Sequence, residues 1–134
     1  MRKLRLIANS LLSIYLASSC TVGHARTASP KSLASSQKGT ASYYSDRFQG
    51  RRTASGEPYN KNGFTAMHRS LPFGTRLRVT NLSNNRSIEV RVNDRGDPAN
   101  RRVLDLSRRA AKELGFVRSG LAQVKLEVIR MGDG

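Results

Sequence analysis

The segment TRLRVTNLSNNRSIEVRVNDRG, residues 75–96, carries the clearest structural pattern in the chain. Apolar side chains occupy every second position on both sides of the polar run SNNR, at Leu77, Val79, Ile88, Val90 and Val92. Such alternation is typical of strands with one buried and one solvated face, and SNNR has the composition of a turn. The segment therefore predicts a β-hairpin whose second strand ends in the polar cluster NDRG at residues 93–96.

Shorter elements flank this hairpin on both sides. Residues 64–70 have an ambiguous period that fits either a short strand or a helical turn, and residues 107–115 predict one helix capped by Ser107. Further strands are predicted at residues 40–45, 102–107 and 121–131. About six short strands must protect their edges, and closing into a barrel does this most simply. The predicted fold class is mainly β, a six-stranded barrel with one short helix.

The N-terminal residues predict export. Arg2, Lys3 and Arg5 precede an apolar run at residues 6–17, which is too short and too polar for a permanent membrane span. We therefore expect a signal peptide at residues 1–19.

The only cysteine, Cys20, closes the small-residue run LASSC. A lone cysteine at this junction predicts lipid attachment after cleavage, and cleavage after Ala25 in GHA is the alternative. Residues 20–38 are rich in Ser, Thr and Ala, which predicts a disordered tether before a folded domain at residues 39–134. Because the chain has no second cysteine, we expect no internal disulfide.

The chain is strongly basic, with 24 Lys and Arg residues against 9 Asp and Glu and a formal charge of +15. In an exported protein this charge favours polyanionic partners such as cell-wall carboxylates, phosphates or lipid head groups. A merely solvated surface is the alternative. Nucleic acid is not an expected partner, because the chain carries an export signal and no recognition-helix pattern.

Two carboxylates stand out as candidates for chemistry. No metal-ligand spacing, phosphate-binding glycine loop or nucleophile motif occurs, so we expect neither a metal nor a cofactor. Glu57 lies inside the loop TASGEPY and Asp94 ends a strand, and such places carry functional groups on rigid scaffolds. For Asp94 the structural alternative is a turn aspartate that accepts backbone hydrogen bonds.

Three stretches around these residues resemble one family. They are GTASYYSDRFQGRRTASGEPYN at residues 39–60, FTAMHRSLPFGTRLRVTNLSNNRSIEVRVNDRG at residues 64–96, and RVLDLSRRAAKELG at residues 102–115. Together they resemble the rare lipoprotein A family of bacterial septal-ring proteins. The resemblance implies a double-psi β-barrel and endolytic lytic transglycosylase activity on peptidoglycan glycan strands, at a lipid-anchored periplasmic location on the outer or plasma membrane. The alternative is a non-catalytic, expansin-like wall-binding module.

The resemblance also implies roles for single residues. The family's catalytic acid falls on Asp94, the glutamate of its GE element on Glu57 and the histidine of its AxH element on His68. A lytic transglycosylase uses the sugar's own C6 hydroxyl as nucleophile, so one carboxyl both protonates the leaving oxygen and later accepts the hydroxyl proton. Asp94 must then hold a proton near neutral pH, which burial or the nearby charge of Glu57 would favour.

Other residues are expected to line the glycan-binding cleft. They are Tyr43, Tyr44, Arg52, Tyr59, Asn93 and Arg95. Tyrosine rings stack on sugars, although core packing is the common alternative for such residues. Arg95 would oppose protonation of Asp94, but adjacent side chains of a strand point to opposite faces, so Arg95 can point away.

Overall fold

The computed structural model describes residues 36–134. Its elements are β1 (Gln37–Tyr43), a 3₁₀ turn (Asp46–Phe48), β2 (Thr65–Met67), β3 (Arg76–Asn81), β4 (Ser87–Asp94), β5 (Leu104–Leu106), α1 (Arg108–Leu114) and β6 (Ala122–Arg130). The predictions for the signal peptide, for Cys20 and for most of the tether lie outside the described residues. β1 begins inside the range expected for the tether, because its pairing with β6 already starts at Gln37.

The six strands close into a barrel in the order β1-β5-β2-β4-β3-β6. β1 and β5 are parallel, as are β2 and β4, and the other four neighbouring pairs are antiparallel. A closed barrel leaves no unpaired edge. The predicted closure and the mainly β fold class are both confirmed.

β3 and β4 form the predicted hairpin. Leu77 lies opposite Val90, and both side chains are fully buried inside the barrel. The ambiguous segment at residues 64–70 contains β2, which lies between β4 and β5 with all three of its residues buried. A strand that is covered on both faces shows no alternation, which explains why the period of this segment was uninformative.

The predicted helix is α1, and both of its ends are capped. The Ser107 hydroxyl accepts a hydrogen bond from Ala110 N, and Gly115 ends the helix in the left-handed region at φ 80°. Three residues of the helix are buried in the barrel's apolar core: Ala110, Ala111 and Leu114. Within residues 36–134, no helix combines the length and the apolar character that a membrane crossing requires.

Candidate active site

One row of side chains crosses four strands on the outer face of the barrel. The register pairs Ser42 of β1 with Asp105 of β5, Asp105 with Met67 of β2, and Met67 with Asp94 of β4. Residues opposite each other in a sheet carry their side chains on the same face. Because Ala66, the neighbour of Met67, belongs to the core, this row faces outwards. Two carboxylates, Asp105 and Asp94, therefore flank Met67.

A β-bulge at Asn93 sets the direction of Asp94. Ala66 pairs with Val92, but Met67 pairs with Asp94, so Asn93 is an extra residue in β4. Simple alternation would turn Asp94 into the core beside Val92, whereas the bulge places it on the outer face. Gly96 then passes close to Met67. A Cβ atom at position 96 would lie 2.2 Å from the Met67 sulfur, so any larger residue would force the Met67 side chain to move.

The Asp94 carboxylate accepts three hydrogen bonds. Its Oδ1 accepts from the main-chain N–H groups of Ala54 and Arg95, both at 2.8 Å, and its Oδ2 accepts from the Tyr44 hydroxyl at 2.5 Å. The residue is half-buried, and within residues 36–134 it forms no salt bridge. The backbone contacts expected of a turn aspartate are thus combined with a side-chain donor from a distant part of the chain.

Tyr44 is a neutral donor to this carboxylate. Burial raises the pKa of its phenol most, and the hydrogen bond to Asp94 and the negative charge of Asp94 raise it further. The ring packs against Tyr59, with ring centres 4.7 Å apart, and against Phe48 at 6.0 Å. Tyr59 is itself buried, and its hydroxyl accepts a hydrogen bond from the Arg108 N–H at the start of α1. Aromatic packing thus fixes the direction of the Tyr44 hydroxyl.

Glu57 is paired with an arginine rather than left free. Its two oxygens accept from the two terminal nitrogens of Arg91 at 2.6 and 2.8 Å. Arg91 holds the pKa of Glu57 below its usual value, first through these hydrogen bonds and then through its charge. Thr53 closes the loop beside it, since the Thr53 N–H and hydroxyl both donate to the Glu57 carbonyl, at 2.9 and 2.6 Å. The negative charge expected to act on Asp94 is therefore balanced by Arg91.

His68 is buried beside the same strand end. Its main-chain N–H donates to the Asp94 carbonyl at 3.2 Å, and its Nδ1 accepts from the N–H groups of Ser70 and Leu71 at 3.1 and 3.0 Å. Burial and then the charges of Arg69 and Arg95 lower the pKa of the imidazole. The ring is thus neutral with its proton on Nε2, and this buried N–H has no partner in the described structure.

Arg95 points away from Asp94, as strand alternation allowed. Its guanidinium donates to the carbonyls of His68 and Leu71 at 2.9 and 2.7 Å and lies over the Phe73 ring. Asn93 is buried, and its side-chain Nδ2 forms no hydrogen bond in the described structure. The Asn93 amide also lowers the pKa of Glu57, but by less than Arg91 does. In this structure Arg95 holds the loop after β2.

Of the other residues expected in the cleft, Tyr59 and Asn93 are buried, and Tyr43 and Arg52 lie elsewhere. The Tyr43 hydroxyl donates to the Val117 carbonyl at 2.8 Å, and its ring packs on Phe116. Tyr43 lines a surface depression whose other lining residues are Ser45, Asp46, Arg108 and Gly120. Arg52 is exposed and donates to the Gly56 carbonyl within its own loop. Neither side chain contacts the Asp94 carboxylate.

Sequence reasoning missed two residues that shape the site. Arg91, the partner of Glu57, is one of several polar residues on the wet face of β4, and nothing in the sequence distinguishes it from its neighbours. The main-chain N–H of Ala54 reaches Asp94 from the loop and has no side-chain signature at all. In the part of the chain that the structure describes, no three His, Cys, Asp or Glu side chains lie close enough to hold a metal ion.

Comparisons of the sequence agree with this architecture. The sequence model of a family described as "Lytic transglycolase" matches residues 36–126. The chain is 52% identical over 94 residues to the endolytic peptidoglycan transglycosylase RlpA of Campylobacter jejuni, covering 70% of this chain and 34% of that protein. It is 53% identical over 91 residues to the protein of the same name from Pseudomonas aeruginosa, covering 68% and 27%. The chain thus spans about a third of the length of the curated relatives it matches.

Solved structures share the barrel at lower identity. A Streptomyces papain inhibitor superposes with a TM-score of 0.58 at 23% identity, over 71% of this chain and 94% of that one. The apo expansin of Clavibacter michiganensis superposes with a TM-score of 0.57 at 25% identity, over 74% and 52%. These likenesses support the fold.

Proposed function

Because the chain belongs to the lytic transglycolase family of double-psi β-barrels, we propose that it is an endolytic peptidoglycan lytic transglycosylase. Its proposed substrate is the MurNAc–GlcNAc glycan strand, and its proposed product carries a 1,6-anhydro ring. The observation that carries the proposal is the Asp94 carboxylate. It is half-buried on the outer face of the barrel, held by Tyr44 and paired with no cation among the described residues.

Asp94 serves as both acid and base in the proposed reaction. Protonated Asp94 gives its proton to the glycosidic oxygen as the bond from that oxygen to the anomeric carbon breaks. The C6 hydroxyl of the same sugar then forms a bond to the anomeric carbon and returns its proton to Asp94. The cycle consumes no water and leaves the enzyme unchanged. Both steps need a single carboxyl group in reach of the sugar.

Tyr44 supports this carboxyl in both protonation states. Its hydroxyl contacts Oδ2, while Oδ1 is occupied by two main-chain N–H groups, so the transferred proton resides on Oδ2. Once the proton has left, the neutral phenol stabilises the carboxylate through a hydrogen bond to a charged acceptor. Since packing fixes the ring, this stabilisation needs no reorganisation during the reaction.

Glu57 and His68 have positioning roles in this proposal. The Glu57–Arg91 pair fixes the loop from which Ala54 reaches Asp94. His68 holds the loop after β2, because its Nδ1 accepts from the N–H groups of Ser70 and Leu71. We assign proton transfer to Asp94 alone, because the charge of Glu57 is already balanced by Arg91.

Product analysis tests the proposal. The purified chain is incubated with glycan strands stripped of stem peptides, and the products are analysed by mass, with Asp94→Asn as the matched control. We expect anhydro ends with the parent and none above background with the variant. Hydrated reducing ends would identify a hydrolase, and anhydro products from Asp94→Asn at the parental rate would remove Asp94 from the chemistry.

A non-catalytic wall-binding module is the second candidate. The superposition on an expansin favours it, as do the three donors already engaged by the Asp94 carboxylate. It predicts binding to glycan strands without any new ends, and equal binding by the parent and by Asp94→Asn. The same product analysis separates the two candidates.

Location and partners form a separate part of the proposal. Peptidoglycan lies outside the cytoplasm, so an enzyme that cleaves it is exported. We place the chain in the periplasm, anchored to the outer or plasma membrane through Cys20, with septal-ring proteins as partners. The change Cys20→Ser should move the protein from the membrane fraction to the soluble fraction. Unchanged fractionation would exclude an anchor at Cys20.

A further inference from the structure

We propose that a row of three arginines near Asp94 binds carboxylates of the glycan strand through Arg76 and Arg130, an inference that rests on the proposed function. The register pairs Arg91 of β4 with Arg76 of β3, and Arg76 with Arg130 of β6. The three side chains therefore share the outer face on adjacent strands. Two strand spacings make this row about 10 Å long.

The arginine row begins next to the candidate catalytic residue. On β2, Thr65 lies opposite Arg91, and Met67, two residues later, lies opposite Asp94. Because of the bulge in β4, Arg91 and Asp94 are thus successive side chains on the same face. A polymer chain that leaves Asp94 across β4, β3 and β6 passes Arg91, which Glu57 already pairs, and then reaches Arg76 and Arg130.

The neighbouring row on the same face has a different charge pattern. There Arg78 lies between Glu89 and Glu127, so that the one cation of this row has an anion on either side. In the arginine row, like charges lie opposite each other, which destabilises a sheet. Glu57 pairs with Arg91, but within residues 36–134 neither Arg76 nor Arg130 forms a salt bridge. An anionic ligand would relieve this repulsion.

The chemistry of arginine favours carboxylates as the ligand. A guanidinium binds a carboxylate through two parallel hydrogen bonds, whereas neutral sugar hydroxyls offer no counter-charge. MurNAc residues without a stem peptide carry a free lactyl carboxylate, so a stripped glycan strand bears these groups at a regular interval. The proximity of the row to Asp94 favours such a strand over a membrane surface.

Binding to chemically modified strands tests this inference without requiring cleavage. Affinity is measured in the Asp94→Asn background for stripped glycan strands, and for the same strands after their carboxylates are converted to methylamides. The double variant Arg76→Gln with Arg130→Gln is compared with Arg78→Gln with Arg118→Gln, which removes the same charge from the neighbouring row and from a site outside both rows. The single variant Arg130→Gln serves as a second probe, and thermal melts verify that each variant is folded.

We expect the Arg76/Arg130 variant to bind intact strands roughly fivefold to tenfold more weakly, which corresponds to two partly exposed ion pairs. Converting the carboxylates should lower the affinity of the parent for the strands by a similar factor and leave the affinity of this variant almost unchanged. The affinity of the Arg78/Arg118 control should stay within about twofold of that of the parent.

Several outcomes would overturn the inference. One is equal sensitivity of the parent and the Arg76/Arg130 variant to the conversion. The others are an equal loss of affinity in the control and absence of strand binding by the parent. If the parent formed no cleavage products but showed this binding pattern, the enzymatic proposal would be rejected and the inference about the arginine row would be retained.

Discussion

Asp94 and Asp105 flank Met67 on the same face of the barrel but are held in opposite ways. Each accepts a hydrogen bond from a hydroxyl near the end of β1, from Tyr44 in one case and from Ser42 in the other. Asp105 also forms a two-pronged ion pair with Arg102, at 2.8 and 3.3 Å, whereas Asp94 forms no ion pair within residues 36–134 and depends on two main-chain N–H groups.

This difference separates a structural carboxylate from one that is available for chemistry. The Asp105 side chain is 14% exposed, and its charge is balanced by a permanent cation. Main-chain N–H groups stabilise Asp94 as dipoles and leave its net charge uncompensated. Both residues are aspartates that flank Met67 on the same face, and their partners distinguish them.

The change Asp94→Asn gives the largest expected effect. An asparagine preserves the contacts to Ala54 and Arg95 but transfers no proton, so kcat for anhydro product should fall by about 10²–10⁴. The free energy of unfolding should change by less than about 1 kcal/mol, because the substitution preserves size and both main-chain contacts, and the Tyr44 hydroxyl can accept from the new amide nitrogen. Single-turnover product analysis and urea denaturation measure the two quantities. A large loss in the free energy of unfolding would indicate that Asp94, like Asp105, has a structural role.

Removal of the Tyr44 hydroxyl should have the next largest effect. Tyr44→Phe leaves the ring packing intact and deletes a hydrogen bond to a charged group worth about 1.5–3 kcal/mol, so kcat should fall roughly 10- to 100-fold with KM unchanged. Tyr43→Phe is the matched control, since the Tyr43 hydroxyl donates to a carbonyl away from Asp94. Equal kcat values for the two variants would contradict the role of Tyr44.

Asp105→Asn should reverse the pattern seen at Asp94. It breaks the ion pair with Arg102 in a partly exposed setting, so we expect a loss of about 1–2 kcal/mol in the free energy of unfolding. Activity at saturating substrate should remain within about twofold. Urea denaturation at neutral pH measures the first quantity, and a drop in kcat comparable to that of Asp94→Asn would erase the contrast.

His68 should make stability depend on pH. The pKa of His68 in the folded state lies below the unfolded value of about 6.5, so the native state binds fewer protons than the unfolded state. The stability that this difference contributes is fully present above pH 6.5 and is lost as the pH falls through the folded-state pKa. The slope from one histidine is at most about 1.4 kcal/mol per pH unit. His68→Asn preserves an acceptor for Ser70 and Leu71 and should flatten this part of the profile. Identical profiles between pH 5 and 7 would exclude His68 as the source.

The barrel was predictable because its signals are local. Alternation on both sides of SNNR defines β3 and β4, and Ser107 with Gly115 delimits α1 within a few residues. The buried strand β2 gave no such signal, because contacts cover both of its faces and its period carries no information.

The candidate site was predictable only in part, because its contacts join distant segments. Asn93 is polar whether or not it forms a bulge, so the sequence does not reveal that Asp94 turns outwards. Tyr43 and Tyr44 were both expected to line the cleft, yet neighbours on an extended chain point to opposite faces, and only Tyr44 reaches Asp94. Arg91 was missed because its partner Glu57 comes from a loop that covers the strand.

The route of the chain through the barrel bears on how the protein is handled in the laboratory. β1 begins at Gln37 and carries Ser42 five residues later, about 17 Å along the strand. A fusion partner or solid support joined upstream of Gln37 therefore leaves from the end of β1 farther from Asp94, and the face that carries Asp94 stays open. β6 ends at Arg130, within the arginine row, so an attachment just downstream would crowd the surface on which a long polymer must lie.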